Sequence, residues 1–210
     1  MTKEEFIRKR PYLYHLTSRD NIERIKESFL LKSSSTLISS SGLSDEDKEE
    51  LKQSRRPEGR IISCNGNEVH IRDQKPLIEK SLRKCLTEGM TQEEYIKLLN
   101  SKVFFWPTKS RLKKHYGRYK NDNISIIRVS TKDLFEINDH IEYANINTGA
   151  TRSVPFYRGA HPRGPNTFIP ASEYTFKTSK VAEVVFPDQC RLPENIEICD
   201  SPNGDWKGLT

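Results

Sequence analysis

Four cysteines in 210 residues, with no two spaced Cys-x-x-Cys, exclude a cysteine-based zinc site and a disulfide framework. Cys64, Cys85, Cys190 and Cys199 read as free thiols of a reducing compartment, and the expected location is the cytoplasm. Long apolar runs are missing as well. No stretch of eighteen apolar residues occurs, which excludes a membrane-spanning helix. Met1-Thr-Lys-Glu-Glu-Phe-Ile carries acids and no apolar centre, so no signal peptide is expected. There is no Gly-x-Ser-x-Gly elbow, no Gly-x-x-x-x-Gly-Lys phosphate loop and no Gly-x-Gly-x-x-Gly dinucleotide fingerprint. His70, His115 and His140 lack ligand spacing, so no metal is expected. No repeat is visible, and the length suits one domain, residues 1–210.

What is present is charge. Lysine and arginine number 35 against 29 acids, a formal net charge of +6. That balance favours polyanionic partners such as nucleic acid or a phosphate-bearing cofactor.

Tyr12-Leu-Tyr-His-Leu-Thr-Ser18 reads as a strand that puts His15 and Thr17 on one face. Asp20 is the expected cap of the helix that follows, with Ile22, Ile25 and Phe29 at helical spacing. On these residues alone, His15 and Thr17 are either locally satisfied or the edge of a ligand site. Residues 33–41 read as a small-polar connector. Ser44 caps an acidic helix to Gln53, and the Asn65-Gly66 pair predicts a hairpin between 61–64 and 68–72. Asp73-Gln-Lys-Pro76 is expected to open a helix carrying Leu77, Leu82 and Cys85. Thr91-Gln-Glu-Glu94 is a capping box. Val103-Phe-Phe-Trp-Pro107 is an aromatic strand, and Thr108 caps a helix whose face is basic from Lys109 to Lys120. Ile124–Ser130 is a strand, Thr131 starts a helical turn, and Val181–Phe186 is the last clear strand. Residues 145–180 are irregular and mix arginine with aromatics, which suits phosphate contact and base stacking or a solvated loop.

Glu183 stands inside a β-branched strand, facing solvent or a cleft. Arg72 closes a strand and either pairs with Asp73 on the surface or serves a site. Phe104, Phe105 and Trp106 are core or a stacking platform.

Taken in order, these residues form a pattern: His-x-Thr on a first strand, an arginine, a Phe-Phe-Trp-Pro strand and a late Ala-Glu-Val-Val. The pattern resembles the ADP-ribosyltransferase fold, and most the DarT-type enzymes that modify bases of single-stranded DNA. The chain also resembles a bacterial domain family in three blocks: Ile71–Leu77, Leu99–Thr108, and Asn147–Arg152 with Arg163–Phe168. The transferase resemblance implies an α+β fold, a central twisted split β-sheet with flanking helices, and NAD as co-substrate. His15, Thr17, Phe105, Trp106 and Arg72 would then hold NAD, with Arg72 on its pyrophosphate. Glu183 would act with Arg72 in catalysis, stabilising an oxocarbenium-like ribose. Arg152, Tyr157, Arg158 and Arg163 would meet the acceptor. Two departures stand out. Val181 replaces the second polar group of the arginine- and guanine-modifying branches, and the aromatic strand ends in Trp106-Pro107 rather than tyrosine. The expected activity is NAD-dependent ADP-ribosylation of nucleic acid in a toxin or defence role, with an antitoxin as a possible partner. The alternatives are a non-catalytic nucleic-acid-binding module on the same scaffold and an RNA 2′-phosphotransferase-like enzyme. The latter class relies on arginines and a histidine, so Glu183 argues against it.

Overall fold

The computed structural model describes residues 1–87, 89–151 and 161–209. Thr2 caps α1 (Lys3–Lys9), which leads into β1 (Tyr12–Ser18), α2 (Ile22–Ser28), β2 (Leu30–Lys32) and α3 (Ser34–Ser39). α4 (Asp45–Gln53) precedes a hairpin of β3 (Arg60–Cys64) and β4 (Asn67–Ile71). Next come α5 (Glu79–Arg83), α6 (Gln92–Asn100), β5 (Lys102–Phe105), α7 (Lys109–Tyr116), β6 (Ile124–Ser130) and α8 (Thr131–Glu136). The chain continues through β7 (Glu142–Ala144), β8 (Ile169–Pro170), β9 (Glu183–Pro187), β10 (Gln189–Arg191), β11 (Glu197–Cys199) and β12 (Lys207–Gly208).

The strands build two four-stranded antiparallel sheets, β1-β6-β11-β12 and β5-β9-β7-β8, beside the pairs β10-β2 and β3-β4. The two large sheets touch where Tyr14 and Trp106 exchange backbone hydrogen bonds of 3.1 and 2.7 Å. This α+β architecture is therefore interrupted at the seam between β1 and β5.

Strand alternation assigns the cores. Leu13, Ile127 and Val129 face one side and pack with Phe105, Val184 and Phe186. Tyr14, Leu16 and Ile126 face the other, with Trp106, Leu112 and Tyr119. On β9 the register Phe104↔Val185 turns Val185 away from Val184 and Phe186, toward Leu82, Tyr95 and Leu99 of α5 and α6. Leu37, Ile38, Leu51, Ile62 and Val69 close a smaller core between α3, α4 and the hairpin.

Several local readings hold. Ser44, Thr91 and Thr108 cap their helices through their hydroxyls, Thr91 in a full capping box with Glu94. Asn65 and Gly66 turn with φ of 51° and 81°, the left-handed pair that a two-residue hairpin needs. Others are corrected. Residues 33–41 are not a connector, because Ser33 caps α3 and Leu37 and Ile38 are buried. Asp20 does not cap α2; its carboxylate accepts from Ser18 and Asn123 instead. The helix after Asp73 starts only at Glu79, since Gln74 is tied back to Arg56 and Asn100, and the Ile78 amide donates to Thr151. β9 is followed by three more short strands, each held by pairing rather than by any apolar run.

Candidate functional site

At the seam between the sheets lies a half-enclosed cavity of about 240 Å³. β1 contributes His15 and Thr17, β5 and its exit contribute Phe104 and Trp106, and the end of β4 contributes Arg72. Glu183, the first residue of β9, lies in the same wall with Thr148. Six residues singled out in the sequence (His15, Thr17, Arg72, Phe104, Trp106 and Glu183) thus share one cavity.

Glu183 is 2% exposed. Its backbone pairs with Ala144 of β7, and Thr148 closes over its carboxyl: the Thr148 hydroxyl and amide both donate to Oε2, at 2.7 and 3.2 Å. Burial drives the Glu183 pKa up to about 7, against the opposing pull of those two hydrogen bonds and of the Arg111 and Arg163 charges. A carboxyl poised near neutrality in a cavity is suited to gain and lose charge at working pH.

His15 has a fixed tautomer. Its Nδ1 lies 2.8 Å from the Phe104 carbonyl, which can only accept, so Nδ1 carries the proton. Desolvation lowers its pKa to about 4, helped by the nearby Arg72 charge. At neutral pH His15 is therefore an uncharged ring whose Nε2 is a hydrogen-bond acceptor. Beneath it Asn21, fully buried, ties β1 to the hairpin: Nδ2 donates to Thr17 Oγ1 and to the His70 carbonyl, and Oδ1 accepts from the His70 amide.

Arg72 does not form the surface pair with Asp73 that its sequence position allowed. Its guanidinium lies 4.2 Å from the Tyr119 ring centre and 3.7 Å from Asp122, and Nη2 makes no hydrogen bond. Tyr119 is held by Asp73, and burial raises its pKa well above the ordinary range. His115 sits between Trp106 and Tyr119, with ring centres 4.8 and 5.0 Å away. Burial and the charges of Arg72 and Arg118 hold its pKa down to about 4.

These shifts oppose one another in stability. His15 and His115 bind protons better when unfolded, so they lose stability as pH falls from about 6.5 toward 4. Glu183 binds its proton better when folded, so acidification from about 7 to 4.5 gains stability. The expected result is a shallow melting-temperature profile for the wild type between pH 4.5 and 6.5. His115→Gln flattens the acid loss further, and Glu183→Gln steepens it; parallel profiles for all three proteins would contradict this assignment.

Other expected site residues lie elsewhere. Phe105 is fully buried in the main core between His15 and Phe186, because β5 alternation turns Phe104, not Phe105, to the cavity. Arg163 is 4% exposed and donates to four backbone carbonyls, so it cannot meet an acceptor. Arg152, Tyr157 and Arg158 lie outside the described residues. Sequence reasoning missed His115, Tyr119, Thr148, Arg24 and Arg56 as cavity residues. For Arg56 the Asp73-Gln74 block and Asn100 were available signals, since all belong to one network: Arg56 Nη2 donates to Asn100 Oδ1 at 2.9 Å, and Gln74 Nε2 donates to the same oxygen at 3.1 Å. Among the described residues no three His, Cys, Asp or Glu side chains gather as a metal-ligand set.

Fold and site together define an α+β protein with an interrupted antiparallel core and a cation-rich cleft at the interruption. Residues 11–195 match the family of unknown function DUF7002, and the chain belongs to that family. No curated protein and no solved structure matches it. Among the described residues no helix is long and apolar enough to cross a membrane.

Proposed function

We propose that the protein is an NAD-dependent ADP-ribosyltransferase acting on nucleic acid, on an ADP-ribosyltransferase-like fold of the DarT type. The observation that carries the reading is the meeting of Glu183 and His15, from opposite ends of the chain, in one cavity with Trp106 and Arg72. NAD fits these groups chemically. Neutral His15 offers Nε2 to a ribose hydroxyl, Trp106 and Phe104 offer ring faces to the nicotinamide, and Arg72, whose Nη2 pairs with Asp122 at 3.7 Å without a hydrogen bond, offers its guanidinium to phosphate. Glu183, when ionised, stabilises positive charge as the C1′–N bond breaks and nicotinamide leaves with the electron pair. The acceptor base forms the new bond to C1′ and releases a proton.

The acceptor reading rests on α7. Lys109, Lys113 and Lys114 of this helix are exposed, as is Lys120 beyond it, and Arg111 is close enough to bias Glu183. A polyanion lying along that face would reach the cavity mouth. A toxin or defence role, with an antitoxin, belongs to the same reading. The test is incubation with labelled NAD and a panel of single-stranded DNA, RNA and protein. Label on nucleic acid supports the proposal; label on protein overturns the acceptor; no label and no released nicotinamide favour a binding module.

A further inference from the structure

The transfer releases one proton from the acceptor, and no group assigned so far takes it. Among the described residues, the uncharged or anionic titratable groups that line the cavity are His15, His70, Asp73, His115, Tyr119 and Glu183. Five of them are committed or unsuited. Glu183 lies under Thr148 and faces the ribose. Asp73 is engaged by the Tyr119 hydroxyl at 3.1 Å and by Lys75 at 3.5 Å, so Tyr119 is itself a donor there. Desolvation holds His15 and His115 to pKa values of about 4, which makes both rings weak bases. Val181, two residues before Glu183, is buried in the main core and supplies no base either. His70 remains.

His70 and Arg72 share one side of the β4 segment, two residues apart, while Val69 and Ile71 turn into the hairpin core. The His70 side chain is 29% exposed, which places it at the mouth of the cavity. Its position is fixed through the backbone. Asn21 Oδ1 accepts from the His70 amide at 3.0 Å, and Asn21 Nδ2 donates to the His70 carbonyl at 2.9 Å. The ring holds nothing in the fold together. Its Nδ1 lies 3.4 Å from Asp20 Oδ2, and among the described residues Nε2 makes no hydrogen bond.

Asp20 is held in turn. Its Oδ2 accepts from the Ser18 hydroxyl at 2.9 Å, and its Oδ1 accepts from Asn123 Nδ2 at 3.0 Å. The Ser18 hydrogen bond, with the His70 charge and Asn123 behind it, keeps this carboxyl below its ordinary value. Asp20 is therefore a carboxylate at neutral pH. A fixed carboxylate beside Nδ1 favours the tautomer with the proton on Nδ1 and leaves the Nε2 lone pair free. At 3.4 Å the contact is long for a hydrogen bond, as contacts of catalytic groups often are before substrate closes the site.

We propose that His70 is the general base of the transfer and that Asp20 is its positioning residue. This rests on the transferase reading. A nucleobase N–H forms its new bond to C1′ as the C1′–nicotinamide bond breaks and nicotinamide leaves with the electron pair. The N–H proton passes to His70 Nε2. The imidazolium so formed faces the Asp20 carboxylate and then returns the proton to solvent. Water, the competing acceptor, sheds its proton directly to solvent and needs no such base.

The test incubates the full chain with labelled NAD and single-stranded DNA or RNA, and follows label on nucleic acid beside free ADP-ribose. His70→Gln is expected to lower transfer at least ~100-fold while hydrolysis to free ADP-ribose continues. Asp20→Asn should lower transfer by less, again with hydrolysis intact. His70→Gln should melt as the wild type does, because Asn21 grips its backbone and an exposed pair contributes little. Added imidazole should restore transfer to His70→Ala, which a merely structural role would not allow. An unchanged ratio of transfer to hydrolysis in folded His70→Gln, or no rescue of His70→Ala, overturns the base and leaves the transferase reading standing. A wild type that labels no acceptor removes the transferase reading, and the base with it.

Discussion

Glu183→Gln is expected to lower NAD turnover roughly 100- to 1,000-fold, the loss seen when one preorganised transition-state contact is removed. The same substitution should raise the melting temperature at pH 8. The sign follows from burial. Glu183 is pushed from an ordinary value of 4.5 to about 7, so the folded state holds the proton more tightly than the unfolded chain. Above pH 7 the folded protein must carry a buried carboxylate, at a cost of up to ~3 kcal/mol. Glutamine removes the charge while its carbonyl still accepts from the Thr148 hydroxyl and amide. Near pH 4 both proteins are neutral at this position, and the difference should vanish. Turnover by the wild type should rise with pH through about 7 as the carboxylate forms. Melting curves at pH 4 and 8 beside nicotinamide release check both halves. Undiminished turnover in Glu183→Gln would remove the transferase assignment; an unchanged melting temperature at pH 8 would remove the electrostatic account. A residue that destabilises its own fold at working pH is maintained by function, which is why this pair of measurements is diagnostic.

How much of this could be read beforehand depends on the range of the interactions. Turn and cap chemistry is local, so Asn65-Gly66, Ser44, Thr91 and Thr108 announced themselves. α3 was hidden because Ser33-Ser-Ser-Thr has low helical preference, and the burial of Leu37 and Ile38 against β3 and α4 supplies what propensity lacks. Asp73 promised a cap, but Gln74 answered to Arg56 and Asn100, which are distant in sequence. His15, Thr17, Arg72, Trp106 and Glu183 were nameable because each is a polar or aromatic residue set against an apolar strand pattern. The choice of Phe105 failed on parity. A strand of three aromatics does not say which of its faces is the core until the Phe105↔Val184 pairing fixes it. Thr148, His115 and Arg24 carry no local signal at all; only the closing of the seam brings them to the cavity.

Arg163 was the other misreading, and it carries the largest stability prediction. In the sequence Arg163-Gly-Pro looked like a phosphate-contacting loop. In the fold its guanidinium is the hub of the segment that covers Glu183: it donates to the carbonyls of Asn147, Thr148, Ala150 and His161, and to Cys85 Sγ at 3.4 Å. Its backbone bridges to Leu86, and Gly164 follows because a Cβ there would lie 1.9 Å from Thr87 Oγ1. Arg163→Met removes every donor and leaves those buried carbonyls without it, an expected cost of about 3–5 kcal/mol. For a chain of this length that corresponds to a melting temperature lower by roughly 10 °C. Arg163→Lys keeps the charge but not the fork, so it should recover only part of the loss. The Thr148 contact to Glu183 hangs on the same segment, so NAD turnover should fall with stability in both variants. If Arg163 instead served an acceptor, Arg163→Met would melt like the wild type and lose only nucleic-acid binding. The order of the two effects decides between a residue that holds the cavity together and one that reaches out of it.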